Sequence, residues 1–434
     1  MLLRFSIENF ASFKDAVEFN TFPSSKSHRH DHHKKSCAHA TALQQTAIYG
    51  ANGAGKSNLI AAIQFLCYLI SAGTLKELHI LDDIFFCFDP KCKDMNSGLA
   101  IEFYTEGKVF YYQIEFDKHH IYSETLLQSK RTVDTTIFTR KGNEVSFGES
   151  TLNEGIMRLL RSDMPLLSFL GAYYPEINEN VTAAFHWLSN NLEVITPNNI
   201  SKSIAHMLDT MPELVEMANS TLPQLNKSIS KLEVKSEVID EKSIKDNENL
   251  LRACEEAKRN PETPCVVKTA FDDNSINVIY HHGTLYKKTL VCIHRDVNGN
   301  DVEMAPRMES DGTRRMIEYL PLFYMVLKRG KTIVVDEIER SMHPILIKGL
   351  IRKLSESKNV KGQLIFTTHE SGLLDQEVFR PDEIWLIEQD SLQASQAYPL
   401  SDFNIHATAN IENGYLNGRY GAIPFLSNLQ DLHW

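Results

Sequence analysis

The chain has 434 residues, 42% of them hydrophobic and 23% charged, with a formal net charge of −11. This is enough chain for a large core and more than one domain, and the acidic balance excludes a protein that coats nucleic acid by bulk charge, leaving room only for a local basic patch. Seven cysteines without a C-x-x-C argue against a disulfide scaffold and for a reducing compartment.

Leu3, Phe5 and Ile7 alternate with Arg4, Ser6 and Glu8, the period of a half-buried strand. The opening predicts no signal peptide. Asn9 to Phe13 reads as a turn, and Ala16 to Phe19 as a returning strand. Ser24 to His39 then carries His28, His30, His32, His33 and His39 among lysines and arginines. It reads as a solvated loop. A metal site is a second reading, with Asp31 and Cys37 as further donors, but the surrounding cations oppose it. A phosphate-contacting loop is a third, from its place before the next strand.

Gly50-Ala51-Asn52-Gly53-Ala54-Gly55-Lys56-Ser57 has the spacing G-x-x-x-x-G-K-S of a phosphate-binding loop. Thr46 to Tyr49 enters it as a strand, and Asn58 to Ala72 leaves it as an apolar helix free of Pro and Gly. Strand, glycine loop and helix aim backbone N–H groups and a helix N-terminus at phosphate oxygens. Gly50 through Asn58 is therefore the predicted nucleotide-holding stretch. Lys56 is expected to bridge the β- and γ-phosphates of ATP, and the Ser57 hydroxyl to hold Mg²⁺. The helix is too short to span a bilayer, so a cytoplasmic protein without a membrane partner is expected.

Ile84 to Phe86, Leu99 to Phe103, Val109 to Phe116 and Ile121-Tyr122 read as strands of an antiparallel meander. Gln113 on the third is a plain strand residue or, by resemblance to ATP-binding cassettes, the glutamine that senses Mg²⁺ in them. From Asn153 to Asn260 the pattern turns helical, with i, i+3, i+4 spacing at Ile156 to Leu160, Val181 to Leu192 and Ile204 to Met217. Ser228 to Asn260 is more polar and lacks heptads; it reads as part of a helical insertion, either a partner-docking lobe or a structural lid. Strands return between Thr263 and Val297. The expected domains are therefore 1–150, an N-terminal lobe with phosphate loop and meander; 151–262, the helical insertion; and 263–434, the C-terminal lobe.

Glu309-Ser310-Asp311-Gly312-Thr313-Arg314-Arg315 opens a further helix. Ser310 and Gly312 at its N-terminus form a second anion site, or Ser310 simply caps the helix. Thr332 to Val335 is an apolar strand ending in Asp336-Glu337. Asp336 is expected to hold Mg²⁺ and Glu337 to orient and deprotonate an attacking water. Leu364 to Thr368 is another such strand, ending at His369, placed to bond the γ-phosphate. Pro344 suits the first turn of the next helix.

These pieces resemble the ABC-type ATPases related to SMC, RecF and overcoming-lysogenisation-defect proteins, and among them the RloA-like branch. The resemblance rests on Arg4 to Phe13, Tyr49 to Asn52, Glu309 to Arg315, Asp336 to Pro344, Thr368 to Glu370 and Tyr415 to Pro424. It implies an α/β P-loop NTPase head with an antiparallel β subdomain, Ser310 and Gly312 capping a γ-phosphate held by a second subunit, and hence a homodimer. Members of this branch, like the related ATPases of the PARIS and Septu systems, act in anti-phage defence with a separately encoded nuclease or effector. Unlike overcoming-lysogenisation-defect proteins, this chain has no D-x-D, which disfavours a nuclease of its own. A RecF-like DNA-repair ATPase acting on DNA ends is the alternative, with Lys130, Arg131, Arg140 and Lys141 as a conceivable basic stripe.

Overall fold

The computed structural model describes residues 1–27, 29–78, 84–148, 158–197, 204–240, 248–261, 264–269, 272–406 and 408–423; the side chains of 266–276 lie outside the description. His28, Ile156, Met157 and Pro424 are therefore not described. The chain divides into two compact units, one of Met1–Val194, Val326–Ile338 and Leu350–Trp434, the other of Ile195–Met325 and Glu339–Gly349.

The first unit has an α/β architecture with two large sheets. Its six-stranded sheet runs in the order Leu192–Ile195, Thr332–Val335, Gln363–Thr367, Gln45–Gly50, Ile384–Gln389, Ser395–Pro399. Thr332–Val335, Gln363–Thr367, Gln45–Gly50 and Ile384–Gln389 pair parallel in sequence. These strands are near-continuous apolar runs because both faces of a parallel sheet are covered.

The seven-stranded sheet holds the meander Ser97–Thr105, Lys108–Phe116, Ile121–Ser129, Thr135–Lys141 and Glu144–Phe147, and takes in Leu2–Glu8 and Val17–Asn20 at its other side. Phe5 lies opposite Ile101 and Ile7 opposite Leu99, so the N-terminal alternation points its apolar set into the core.

The helix Lys56–Ala72 is buried along Leu59, Ile60, Ala62, Ile63, Phe65, Leu66, Leu69 and Ile70. It shares one core with Phe5, Ile7, Phe103 and Phe110 of the meander sheet and with Val334, Ile365 and Ile387 of the parallel sheet. A helix that is apolar on more than one face belongs in such an interior. Fully burying each Leu or Ile contributes about 1.5–3 kcal/mol.

Ile84 to Phe86, expected as a strand, is an irregular connection. Its backbone is claimed by the N-terminal turn instead: Ala11 N–H donates to Ile84 O at 2.6 Å, and Phe86 N–H to the Asn9 side chain at 3.1 Å. The His-rich stretch, expected as a solvated loop, forms a 3₁₀ turn at Asp31–His33 and the hairpin Lys34–Cys37 and Ala40–Leu43, with His33 and Cys37 buried.

The second unit is not purely helical. Ile229–Val238 is a strand paired with Thr284–Arg295, in a sheet completed by Asp272–His281, Cys265–Thr269 and Asp301–Met304. The helix Glu248–Arg259 covers this sheet through Leu250, Ala253, Cys254 and Ala257, which pack with Val278 and Leu285. The helices Ile204–Thr210, Pro212–Leu225 and Asp311–Tyr324 belong to the same unit.

Candidate nucleotide site

The strand Gln45–Gly50 ends where the glycine loop begins, and the loop ends at Gly55, the N-cap of the helix Lys56–Ala72. Gly55 has φ 109°, and a Cβ there would lie 2.2 Å from Ser395 Oγ and 2.7 Å from Ser12 Oγ. Only glycine satisfies both the backbone angle and the close approach. Asn52, Gly53 and Ser57 are exposed, Ala51 and Asn58 half-buried, and Ala54, Gly55 and Lys56 buried. Lys56 Nζ donates to Gly50 O at 2.8 Å and Ala51 O at 3.0 Å, so the cation lies along the loop it serves.

A second layer holds the loop from behind. Asn58 Nδ2 donates to Ser12 Oγ at 2.8 Å; the Ser12 and Ser395 hydroxyls lie 2.7 Å apart; Ser395 Oγ donates to Ala54 O at 2.7 Å. Each hydroxyl has one proton, so the consistent order runs from Asn58 through Ser12 and Ser395 to the Ala54 carbonyl. Ser12 and Ser395 were not among the predicted site residues. Ser12 sits in the quoted N-terminal motif, but nothing local marks Ser395.

Thr332–Val335 lies two strands from Gln45–Gly50, about 10 Å away at ordinary strand spacing, with Gln363–Thr367 between. Val335 is level with Phe366, and Thr367 with Ile48. This register brings Asp336, Glu337 and His369 to the same sheet edge as the loop. Asp336 is 7% exposed. Thr367 Oγ1 donates to Asp336 Oδ1 at 2.5 Å and accepts the Glu337 N–H at 2.7 Å. Glu337 has φ 53°, a left-handed conformation that costs on the order of 1–3 kcal/mol in a non-glycine residue and clusters at functional positions. The Thr367 bond helps to hold it. Thr367 itself was missed by sequence reasoning, where it stood only as the end of an apolar strand. His369 is exposed, just beyond that strand.

The donor set suits magnesium nucleotide. The Ser57 hydroxyl and the Asp336 carboxylate are hard oxygen donors of the kind Mg²⁺ takes alongside water and phosphate. A Cβ built at Gly53, φ 79°, meets nothing within 4 Å, so the loop face beside it is open.

Ser310 and Gly312 belong to the second unit. Ser310 is the N-cap of Asp311–Tyr324, its Oγ accepting the Thr313 N–H at 3.2 Å, and its side chain is exposed. A Cβ on Gly312 would come within 2.9 Å of Ser341 O, so the helix start and the stretch after the acidic pair are in backbone contact. Arg315 is buried with its guanidinium 4.7 Å from the Tyr319 ring centre. Burial pushes the Tyr319 hydroxyl up to about 12, against the opposing pull of Arg315. Burial likewise pushes the Cys292 thiol up to about 12, with the Glu309 carboxylate adding to it.

Of the conceivable basic stripe, Arg140 is unavailable. It is 1% exposed, 3.7 Å from the buried Glu124, and donates to the carbonyls of Gly142, Met164 and Arg161. Gln113 lies within the meander sheet, accepting from Tyr111 Oη at 3.0 Å. Among the described residues no helix is long and apolar enough to cross a membrane.

A phosphate loop between a parallel-sheet strand and a buried helix, with an acidic pair two strands away, is the arrangement of a P-loop NTPase fold. Residues 46–163 and 209–375 match the family described as "AAA domain, putative AbiEii toxin, Type IV TA system", and the chain belongs to that family. No curated protein matches it. Solved structures similar to it include SMC heads. One, a head bound to the C-winged helix domain of ScpA, is 14% identical over 92% of this chain and 97% of that one, with a TM-score of 0.44. The SMC head domain from Thermotoga maritima is 12% identical over 93% and 99%, with a TM-score of 0.38. A Pyrococcus furiosus head with an extended coiled coil, bound to the C-terminal domain of ScpA, is 13% identical over 92% and 96%, with a TM-score of 0.42.

Proposed function

We propose that this protein is a Mg²⁺-dependent ATPase that dimerises around ATP and acts as a cytoplasmic switch on a separately encoded effector, an RloA-like component of anti-phage defence. The observation that carries the ATPase reading is the Thr367 hydroxyl tying Asp336 to the Glu337 backbone, beside the strand that opens the phosphate loop. Gly50 through Asn58 hold the nucleotide, with Lys56 on its phosphates. Ser57 and Asp336 hold Mg²⁺, which supplies charge neutralisation at the phosphates. Glu337 takes the proton of the attacking water, and His369 bonds the γ-phosphate. Ser310 and Gly312 complete the site of a second copy. ATP then favours the closed dimer and ADP the open one, by differential affinity for the two states.

The defence role is supported by the quoted motifs and by the toxin–antitoxin description of the matching family. The insertion, Asn153 to Asn260, which includes the strand Ile229–Val238 and the helix Glu248–Arg259, is the proposed docking lobe for the effector. The test is to purify the chain with the product of the neighbouring gene, with and without Mg-ATP, and to measure phosphate release. An ATP-dependent complex and Mg²⁺-dependent turnover are expected. Turnover without any nucleotide-dependent partner would leave the ATPase standing and remove the switch.

A further inference from the structure

The histidine run before the hairpin of Lys34–Cys37 and Ala40–Leu43 takes no part in the chemistry above. His30, His32 and His33 each offer one ligand atom, and these atoms lie within 4.8 Å of one another. His30 enters the 3₁₀ turn in the left-handed conformation, φ 48° and ψ 49°, uncommon for a residue with a side chain. That bend lays its ring on His33, centroids 4.8 Å apart and planes 10° from parallel. His32 meets His33 edge-on at 4.5 Å.

His33 presents a donor–acceptor conflict. Its Nδ1 is 2.8 Å from Glu383 Oε1, and its Nε2 is 2.9 Å from Ser355 O. A neutral imidazole has one N–H and one lone pair, so either tautomer sets a lone pair against an oxygen. Ser355 Oγ lies 3.0 Å from Nε2, but it also donates to Val378 O at 2.8 Å and has one proton. The Gln45 amide Nε2 lies 3.3 Å from the same Nδ1, so Nδ1 faces Glu383 and Gln45 while Nε2 faces the Ser355 carbonyl and hydroxyl. A carboxylate on one ring nitrogen is how proteins orient a histidine whose other nitrogen binds metal. His32 Nε2 reaches the same Ser355 carbonyl at 2.7 Å, so two imidazole nitrogens converge there. The nearby cations have partners: Lys34 on Asp31 at 2.6 Å and Arg380 on Asp382 at 2.7 Å.

We infer that His30, His32 and His33 form a zinc site that pins the hairpin of Lys34–Cys37 and Ala40–Leu43 to the end of the helix Pro344–Ser355, with Glu383 orienting His33. Three imidazoles suit Zn²⁺ among divalent ions, with a fourth position for water. Zinc–nitrogen bonds of about 2.0–2.1 Å require small side-chain rotations to draw the nitrogens inward. Binding replaces N–H protons, so uptake weakens towards acidic pH.

The test uses the full chain without a histidine tag. Expected results are about one zinc per chain by elemental analysis, visible d–d bands on Co²⁺ substitution, and a Zn²⁺-dependent rise in Tm after chelation. The double variant His30→Gln, His32→Gln keeps the His33–Glu383 pair; it should lose the Tm response and bind Zn²⁺ at least tenfold more weakly, with ATP affinity unchanged. Substoichiometric zinc with no Co²⁺ bands in the unaltered protein, or equal zinc affinity in the variant, overturns the site. Should the variant not fold, the metal content and Co²⁺ spectrum of the unaltered protein decide.

Discussion

Thr367 Oγ1 lies 2.5 Å from Asp336 Oδ1, and the same oxygen takes the Glu337 N–H at 2.7 Å. One hydroxyl on the central strand thus orients a carboxylate and fixes the backbone of the acid after it, both on the neighbouring strand's end. Thr367 is fully buried, so its proton and lone pair have no water to turn to. Thr367→Val should cost about 1–3 kcal/mol in unfolding free energy, because a buried carboxylate and an N–H lose their partner. It should also raise the Mg²⁺ concentration needed for half-maximal turnover. Thr367→Ser should restore most of both. A loss of stability with unaltered Mg²⁺ dependence would mean that the contact is structural alone.

The two left-handed glycines of the phosphate loop make a contrasting pair. Gly53, at φ 79°, has open space where a Cβ would go, whereas Gly55, at φ 109°, would collide with Ser395 Oγ at 2.2 Å. Gly53→Ala pays only the backbone term, about 1–2 kcal/mol. Gly55→Ala must in addition displace the Ser12–Ser395 pair that supports Ala54, and should abolish nucleotide binding. Thermal unfolding and equilibrium nucleotide titration on both variants check this; equal losses would show that the serine pair does not set the loop.

Glu337→Gln should keep ATP affinity and lose turnover by about 10²-fold or more if the carboxylate acts as general base. Lys56→Ala should instead weaken binding itself, since the cation lies along the loop on the Gly50 and Ala51 carbonyls. Single-turnover phosphate release beside a binding titration separates the two. Parental turnover in Glu337→Gln would reassign the base.

The strand, glycine loop and helix were legible because their signals are local. Glycine spacing, an apolar strand before it and an apolar helix after it lie within one short stretch. What escaped was set by partners far along the chain. Thr367 meets Asp336 31 residues away, and Ser395 meets Ala54 341 residues away. The strand Ile229–Val238 escaped for another reason. It buries Ile229 and Leu232 and leaves its end exposed, while its lysines pair with acids, Lys235 with Glu303 and Lys231 with Glu233. The helix Glu248–Arg259 buries a single narrow stripe. Both therefore look polar in sequence, although the helix builds a small core with Val278 and Leu285.

The last prediction concerns completion of the site by a second copy. Ser310 Oγ accepts the Thr313 N–H at 3.2 Å, so the residue does cap its own helix. A cap accounts for a serine, and losing it costs about 1 kcal/mol. It does not account for Gly312, whose missing Cβ lets Ser341 O approach to within 2.9 Å of where that atom would stand. A helix start exposed at Ser310 and without a side chain at Gly312 is suited to an anion. If that anion is the γ-phosphate on a partner, damage at Ser310 and damage at Lys56 fall on different halves of each composite site. Ser310→Arg and Lys56→Ala proteins, each inactive alone, then form mixed dimers with one site doubly damaged and the other intact. Mixing them should recover part of the ATPase activity, approaching a quarter of the unaltered rate when half the dimers are mixed and the sites fire independently. Native mass spectrometry verifies the mixed dimers. Verified mixed dimers with no recovered activity would reduce Ser310 to a helix cap and place the whole site within one chain.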